Sequence, residues 1–96
     1  MTTSFIQTNL FEFLHSPEVE PSRKQLATMA DCTVRTIDAD VAMLNRLVPK
    51  EFKYIEGQQI FTHEQKKAIL GVRLLFRKYR LRTQVELEII KKGLPQ

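Results

Sequence analysis

The sequence predicts a mainly α-helical fold in which a closely spaced helix pair is followed by a two-stranded β-hairpin and two further helices. Three observations support this prediction. Apolar residues recur at intervals of three and four in five segments, a Ser or Thr able to cap a helix precedes each segment, and a glycine separates two short β-prone runs. The whole chain, 1–96, is expected to form one domain, because this length builds one core of modest size.

An N-terminal helix is predicted over residues 5–15, and a helix-turn-helix pair over residues 22–48. Ser22 followed by Gln25 has the spacing of a capping box, in which each side chain accepts from the other residue's backbone N–H. Thr33 can cap the second helix of the pair through its hydroxyl. An apolar stripe predicts the buried face of that second helix: Val34, Ile37, Val41, Leu44 and Val48.

The predicted hairpin, or wing, occupies residues 52–61, where the β-prone runs Phe52–Ile55 and Gln58–Phe61 flank a turn at Gly57. Glycine suits this turn because it adopts positive φ without steric cost. The side chains expected to form a small core under the wing are Phe52, Tyr54, Ile60 and Phe61.

Two C-terminal helices are predicted over residues 63–93, and Gly93 is well placed to end the second. Their expected caps and partners are Thr62 with Gln65 and Thr83 with Glu86. The complete order is that of a winged helix-turn-helix with a two-stranded β-hairpin wing, an extra N-terminal helix and two C-terminal helices.

Charge is distributed unevenly along the chain, which has a formal net charge of +4. Residues 1–48 hold four Lys/Arg against six Asp/Glu, whereas residues 49–96 hold eleven against five. A basic half of this kind favours a polyanionic partner, most often nucleic acid.

Several classes of function find no support in the sequence. Cys32 is the only cysteine, and His15 and His63 lie apart, so neither a disulfide framework nor a metal site is expected. No paired acids, Gly-rich phosphate loop or nucleophile motif is present, and we therefore expect neither an enzyme nor a cofactor. No apolar run approaches the ~20 residues of a membrane span and no secretory signal is recognisable, which predicts a cytoplasmic protein.

The helix pair and the wing predict a binding site for double-stranded DNA. The second helix of such a pair can enter the major groove with its N-terminal residues against base edges. Arg35 is a long bidentate donor suited to guanine or phosphate, and the free N–H groups at that helix end attract a phosphate. The predicted DNA-binding residues are Ser22, Arg23, Lys24, Thr33, Val34, Arg35, Thr36, Asp38, Lys53, Tyr54, Gln58, Gln59, Arg73 and Arg77.

Two acids, Asp38 and Asp40, stand in the helix predicted to meet DNA, where a negative charge repels phosphate. We expect Asp40 to pair with a basic side chain of the domain, or with the supporting helix. Asp38 is expected either to accept from a cytosine amino group or to orient Arg35, three residues away.

Residues 22–44, SRKQLATMADCTVRTIDADVAML, resemble the helix-turn-helix of bacterial DeoR-type repressors. The matching positions are Leu26-Ala27, Thr33, Arg35-Thr36-Ile37 and Asp40-Val41. Asp38-Ala39 stand where two arginines are usual in that family, and those arginines commonly hold phosphates. The docking mode of that family therefore does not transfer directly.

The order of elements over about residues 22–93 resembles the MerR family of winged helix-turn-helix regulators. In that family the wing leads into an aromatic-Thr/Ser start, a basic amphipathic helix and a short capped helix. The corresponding stretches here are Phe61-Thr62-HEQ, Ile69-x-x-VRLLFRKYRL and Thr83-QVELEII. The long dimerisation helix and effector domain of MerR-type proteins have no counterpart in the sequence, so a minimal form is expected.

The resemblance implies a sequence-specific transcription regulator, expected to be a repressor, that binds an inverted-repeat promoter or operator as a homodimer. The expected dimer contacts are the N-terminal helix and apolar positions such as Leu70, Leu74 and Leu87. Two alternatives stay open. One is an excisionase-like architectural protein of a mobile element, which bends DNA. The other is a protein-interaction module in which Asp38 and Asp40 face a basic partner.

Overall fold

The computed structural model describes residues 20–95. Over that part of the chain the fold is mainly helical, as predicted, and the helices are α1 (Arg23–Ala30), α2 (Val34–Leu47), α3 (Pro49–Phe52), α4 (His63–Tyr79) and α5 (Arg82–Lys92). The N-terminal helix predicted over residues 5–15 lies outside the described residues.

Three helix starts follow the capping chemistry of the sequence. The predicted capping boxes are present at Ser22, before α1, and at Thr62, before α4. At α2 the hydroxyl of Thr33 accepts a hydrogen bond from the backbone N–H of Thr36 at 3.2 Å. These caps satisfy backbone donors that the first turn of a helix leaves unpaired. Because Asp31 also ends α1 in the left-handed conformation, only a three-residue turn separates α1 from α2.

The predicted β-hairpin is wrong, because residues 53–61 form a loop without a strand ladder. The short helix α3 takes Phe52 out of the expected first strand. Lys53 then adopts a left-handed conformation with φ of 56°, which turns the backbone away from strand geometry. Ile60 forms an isolated antiparallel bridge with Ser22 instead of pairing across the turn. The two β-prone runs therefore do not pair with each other, and the second of them contacts the start of α1 instead.

The turn inside this loop is nevertheless present at the predicted glycine. Gly57 has φ of +82°, a conformation that L side chains rarely adopt. The backbone N–H of Gln58 donates to the carbonyl of Ile55 at 2.8 Å, and the Gln58 side-chain oxygen accepts from the N–H of Ile55 at 3.1 Å. One residue therefore closes the turn with both its backbone and its side chain.

The predicted cap of the last helix is also wrong. α5 begins at Arg82 after the N-cap residue Leu81, which makes no side-chain capping bond, so Thr83 already lies inside the helix. The chain leaves α4 through Arg80 in a left-handed conformation, and this sharp exit starts α5 two residues earlier than a Thr83 cap allows. Gly93 ends α5 as expected.

Helix α2 lies at the centre of the described fold, where it packs against each of the other four helices. This packing fixes its orientation, because the buried face cannot rotate without opening the core. The buried apolar side chains are Leu26, Ala27, Ala30, Ile37, Val41, Met43, Leu44, Val48, Phe52, Phe61, Ala68, Ile69, Leu70, Val72, Val85 and Ile89.

Four side chains depart from the burial that the sequence predicts. Val34 is 39% exposed because it lies at the first position of α2, ahead of the packed part of the stripe. Ile60 is 50% exposed, so the small core under the loop consists of Phe52, Phe61 and the half-buried Tyr54. Leu70 is fully buried and is therefore not available for the dimer contact predicted for it. Lys66 is likewise buried, although its place in a basic helix suggests a solvated face.

Candidate nucleic-acid interface

The first turn of α2 presents three polar side chains in a defined arrangement. The hydroxyls of Thr33 and Thr36 lie 3.1 Å apart, and the Thr33 oxygen also accepts from the Thr36 N–H. Arg35, between them, is exposed and forms no ion pair with any residue of the 20–95 range. A free guanidinium at the positive end of a helix is suited to an anionic ligand.

The exposed face of α2 continues from Arg35 through two alanines to a second arginine. Ala39 and Ala42 are exposed, one and two turns beyond Arg35, and Arg46 follows one turn later. The short alanine side chains leave the backbone of this face accessible to a close neighbour. Arg46 is occupied, since its guanidinium donates to Glu86 of α5 at 2.8 Å. The free positive charge of the helix therefore lies at its N-terminal end.

Asp38, one turn after Arg35, is neutralised by an arginine from another helix. The Nε of Arg23, in α1, donates to Oδ1 of Asp38 at 2.6 Å, and the Asp38 side chain is 54% exposed. The sequence places Asp38 either against a cytosine or beside Arg35, but in the free protein its carboxylate holds Arg23. The distance of 15 residues between the two partners explains why sequence spacing does not reveal the pair.

Arg23 makes two further hydrogen bonds, both to the loop 53–61. Its Nη1 donates to the carbonyl of Gln58 at 2.7 Å, and its Nη2 donates to the hydroxyl of Tyr54 at 2.8 Å. Burial lowers the pKa of Arg23, but the hydrogen bonds to Asp38 and Tyr54 outweigh that effect and raise it overall. The guanidinium therefore stays charged and joins α1, α2 and the loop.

Asp40 pairs with Arg73 of α4, which agrees with the expectation that a basic side chain of the domain neutralises this acid. Nη2 of Arg73 donates to Oδ1 at 2.7 Å, and Nε lies 2.6 Å from Oδ2 without hydrogen-bond alignment. The guanidinium also stacks over the ring of Phe76, 4.7 Å from its centroid. Arg73, predicted to contact DNA, is only 19% exposed and is held in this pair.

Burial raises the pKa of Asp40 from 3.8 to about 6, although the hydrogen bond and charge of Arg73 act in the opposite direction. The side chain is only 3% exposed, which accounts for the dominance of desolvation. With a pKa below neutrality the carboxylate is charged at pH 7, and a residue this deeply buried cannot face a basic partner protein as the interaction hypothesis requires.

The loop 53–61 is fixed from the other side by Gln65, a residue that the sequence identifies only as part of a capping box. Its side-chain nitrogen donates to the carbonyls of Phe52 and Lys53, at 3.0 and 3.2 Å. Its side-chain oxygen accepts from the Gln58 amide at 2.7 Å and from the N–H of Thr62 at 2.9 Å. A buried glutamine with four partners thus replaces the missing strand ladder, and its position three residues after Thr62 is the only signal in the sequence.

The structure divides the predicted DNA-binding residues into two groups. One group is engaged in hydrogen bonds or ion pairs with other protein groups: Ser22, Arg23, Asp38, Tyr54, Gln58 and Arg73. The other group leaves polar or charged atoms towards solvent: Lys24, Thr33, Arg35, Thr36, Lys53, Gln59 and Arg77, with Val34 exposed among them. Arg23 brings the start of α1, the exposed face of α2 and the loop together. Lys24, Arg35, Lys53 and Gln59 belong to these three elements.

Comparison of the chain with protein-family models, with curated proteins and with solved structures finds no match. Among residues 20–95, no helix combines the length and the apolar character that crossing a membrane requires.

Proposed function

We propose that the protein binds double-stranded DNA sequence-specifically through the exposed N-terminal half of α2. One observation carries the proposal: both acids of α2 are neutralised by arginines of other helices, while Arg35, beside a capped helix start, has no acidic partner among residues 20–95. A helix with an unpaired arginine and neutralised acids presents a positive surface, which a groove lined by phosphates attracts.

In the proposed complex the first turn of α2 enters the major groove. Arg35 reaches guanine or a phosphate with two parallel hydrogen bonds, while Thr33 and Thr36 donate to phosphate or touch a thymine methyl. Ala39 and Ala42, exposed on the same face, let the helix approach the base edges without long side chains in between. Lys24 and the loop residues Lys53 and Gln59 contact the backbone on either side.

The proposed biological role is that of a transcription regulator, expected to repress by occupying promoter DNA as a homodimer. Leu74 and Leu87, at 39% and 64% exposure, remain candidates for the dimer contact. The resemblance of the helix pair and of the two C-terminal helices to MerR-type regulators supports this role, although a loop stands in place of the wing, and an isologous two-fold contact is the expected geometry. An excisionase-like bending protein uses the same DNA-binding face, so bending and not affinity separates the two roles.

The proposal is tested by selection and by salt dependence. The protein is used to select duplexes from a library with about 20 random base pairs, long enough for two half-sites one helical turn apart. Binding of the selected duplex is then followed by fluorescence anisotropy between about 50 and 200 mM salt. We expect a consensus to emerge and log K to fall linearly with log salt. The absence of a consensus, or an affinity that does not change with salt, contradicts the proposal. A gel-mobility bend assay on the same duplex then distinguishes a repressor from an architectural protein that bends DNA.

A further inference from the structure

We propose that Arg23 is a positioning residue, which sets the loop 53–61 against the exposed face of α2, and that it does not contact phosphate. Sequence alone places this arginine among the DNA contacts, because it stands at the start of the supporting helix. The part of the inference that concerns DNA rests on the proposed function. The part that concerns the loop stands on the geometry of the free protein.

Each nitrogen of the Arg23 guanidinium has its own partner inside the protein. Nε binds Asp38 of α2 at 2.6 Å, Nη1 binds the Gln58 carbonyl at 2.7 Å, and Nη2 binds the Tyr54 hydroxyl at 2.8 Å. The side chain is 23% exposed. Three of the five N–H donors are engaged in this way on a side chain that is mostly buried, so a phosphate would have to compete with these contacts for the guanidinium.

Two aromatic rings of the loop hold the same guanidinium from the side. Its central carbon lies 5.1 Å from the ring centroid of Phe61 and 5.9 Å from that of Tyr54. The two rings are nearly parallel, at 13°, with centroids 6.3 Å apart. A planar, weakly hydrated cation fits beside such rings better than an ammonium does, so lysine cannot replace Arg23 here.

The loop depends on these contacts because it has no strand ladder of its own. Apart from Arg23, the hydrogen bonds that tie the loop to the rest of the described chain come from Gln65, from the backbone N–H of Phe61 to Pro21, and from the backbone N–H of Lys53 to Pro49 of α3. Gln59 follows Gln58, whose carbonyl Arg23 holds, so this exposed loop residue takes its position relative to Arg35 from Arg23, whereas Lys53 is fixed by α3 and Gln65. We infer that loss of Arg23 reduces discrimination between DNA sequences more than it reduces electrostatic attraction.

Lys24 is the matched control, since it is the next residue of the same helix, carries the same charge, is exposed and has no partner within residues 20–95. Arg23→Gln, Arg23→Lys, Tyr54→Phe and Lys24→Gln are compared. Tyr54→Phe removes one hydrogen bond and keeps the arginine, so it reports on the same contacts in a protein that stays folded even if the Arg23 variants do not.

The first measurement is amide hydrogen exchange of the free proteins. We expect protection at Ile55 and Gln58, whose N–H groups close the loop turn, to fall on the order of tenfold in both Arg23 variants. Tyr54→Phe should produce a smaller fall at the same amides. Protection at Ile69 in the core of α4 should change in none of them, and Lys24→Gln should leave the loop unchanged. Unchanged loop protection in the Arg23 variants and in Tyr54→Phe overturns the proposal.

The second measurement uses the selected duplex and a mixed-sequence duplex of equal length. For Arg23→Gln we expect the affinity ratio between them to fall on the order of tenfold, with the salt slope of each unchanged. For Lys24→Gln the slope of log K against log salt should become shallower by about 0.9, while the affinity ratio between the two duplexes stays constant. If Arg23→Gln also lowers the salt slope by about 0.9, and Arg23→Lys keeps the wild-type slope, Arg23 is a phosphate contact and the proposal is wrong. If the wild-type protein selects no duplex, the proposed function fails, and hydrogen exchange alone decides the positioning role.

Discussion

At the residue scale, the two acids of α2 are balanced in different environments. Asp38 is exposed and shares Arg23 with the loop, whereas Asp40 is buried and holds Arg73. An exposed pair contributes little to stability because water already solvates both charges. Removing one partner of a buried pair is more damaging, because the remaining charge keeps its desolvation penalty.

Replacement of Arg73 by Met should destabilise the protein by about 3 kcal/mol near neutral pH, because Asp40 is then buried without a counter-charge. The loss should shrink at about pH 5, where Asp40 can take up a proton instead. Urea denaturation followed by circular dichroism measures both values. Arg77→Met, one turn along α4 on an exposed side chain, serves as control and should change stability by less than about 0.5 kcal/mol. Equal losses for Arg73→Met at the two pH values contradict this account.

The raised pKa of Asp40 also predicts the pH dependence of the wild-type protein. Between pH 3.8 and about 6 the folded protein retains a proton that the unfolded chain has released. The contribution of Asp40 to stability is therefore fully present below the unfolded pKa and is lost as the pH rises through the folded pKa. The unfolding free energy of wild type minus that of Asp40→Asn should fall by at most about 3 kcal/mol from pH 4 to pH 7. A difference that rises with pH shows that the carboxylate has a depressed pKa.

At the scale of elements, local signals predict helices better than they predict the loop. The caps at Ser22, Thr33 and Thr62 act within one turn, so the sequence alone locates three helix starts. The loop 53–61 depends on partners far along the chain, such as Ser22 for Ile60. Sequence spacing carries no information about such contacts, so two β-prone runs around a glycine predict a hairpin that the protein does not form.

The two threonines predicted to cap the C-terminal helices should differ in their effect on stability. Thr62→Ala should cost about 1 kcal/mol, because Thr62 accepts from the Gln65 N–H at 3.1 Å and is half of a capping box. Thr83→Ala should cost less than about 0.3 kcal/mol, since Thr83 lies inside α5 and makes no capping bond. Thermal or urea denaturation compares the variants. If Thr83→Ala lowers the free energy of unfolding as much as Thr62→Ala does, Thr83 caps α5 as the sequence predicts, which contradicts the structure.

Gly71 lies inside α4, where a glycine ordinarily weakens a helix, and its role is to admit the C-terminal residues. A Cβ at this position would lie 2.4 Å from Cβ of Pro95, closer than atoms can approach. In a chain ending at Gly93, Gly71→Ala should stabilise by about 1 kcal/mol through helix propensity alone. In the chain that retains Leu94 and Pro95 the same change should bring no gain, because the tail must move. Equal gains in the two backgrounds contradict the contact.

At the scale of the whole molecule, the sequence predicts the basic character of the second half but not which charges are free. Residues 49–96 hold eleven basic side chains, yet Arg73, Arg82 and Lys92 are paired with acids and Lys66 is buried. The assignment of arginines to acids in other helices decides which part of the surface can attract a polyanion. Packing determines which arginine meets which acid. The proposed DNA-binding surface is therefore limited to the first turn of α2, Lys24 and the loop, and does not extend over the whole basic half.

In the proposed function Arg35, and not the general basicity of the chain, carries DNA recognition. The measurement that tests it most directly compares Arg35→Ala with Arg46→Ala by fluorescence anisotropy on the selected duplex at fixed salt. Arg46 is the matched control, because it lies on the same exposed face of α2 but is held by Glu86. We predict that Arg35→Ala weakens binding by at least about tenfold, the loss expected for one bidentate base contact, while Arg46→Ala changes it less than about twofold. Equal effects of the two substitutions, or an unchanged affinity for Arg35→Ala, would contradict the account.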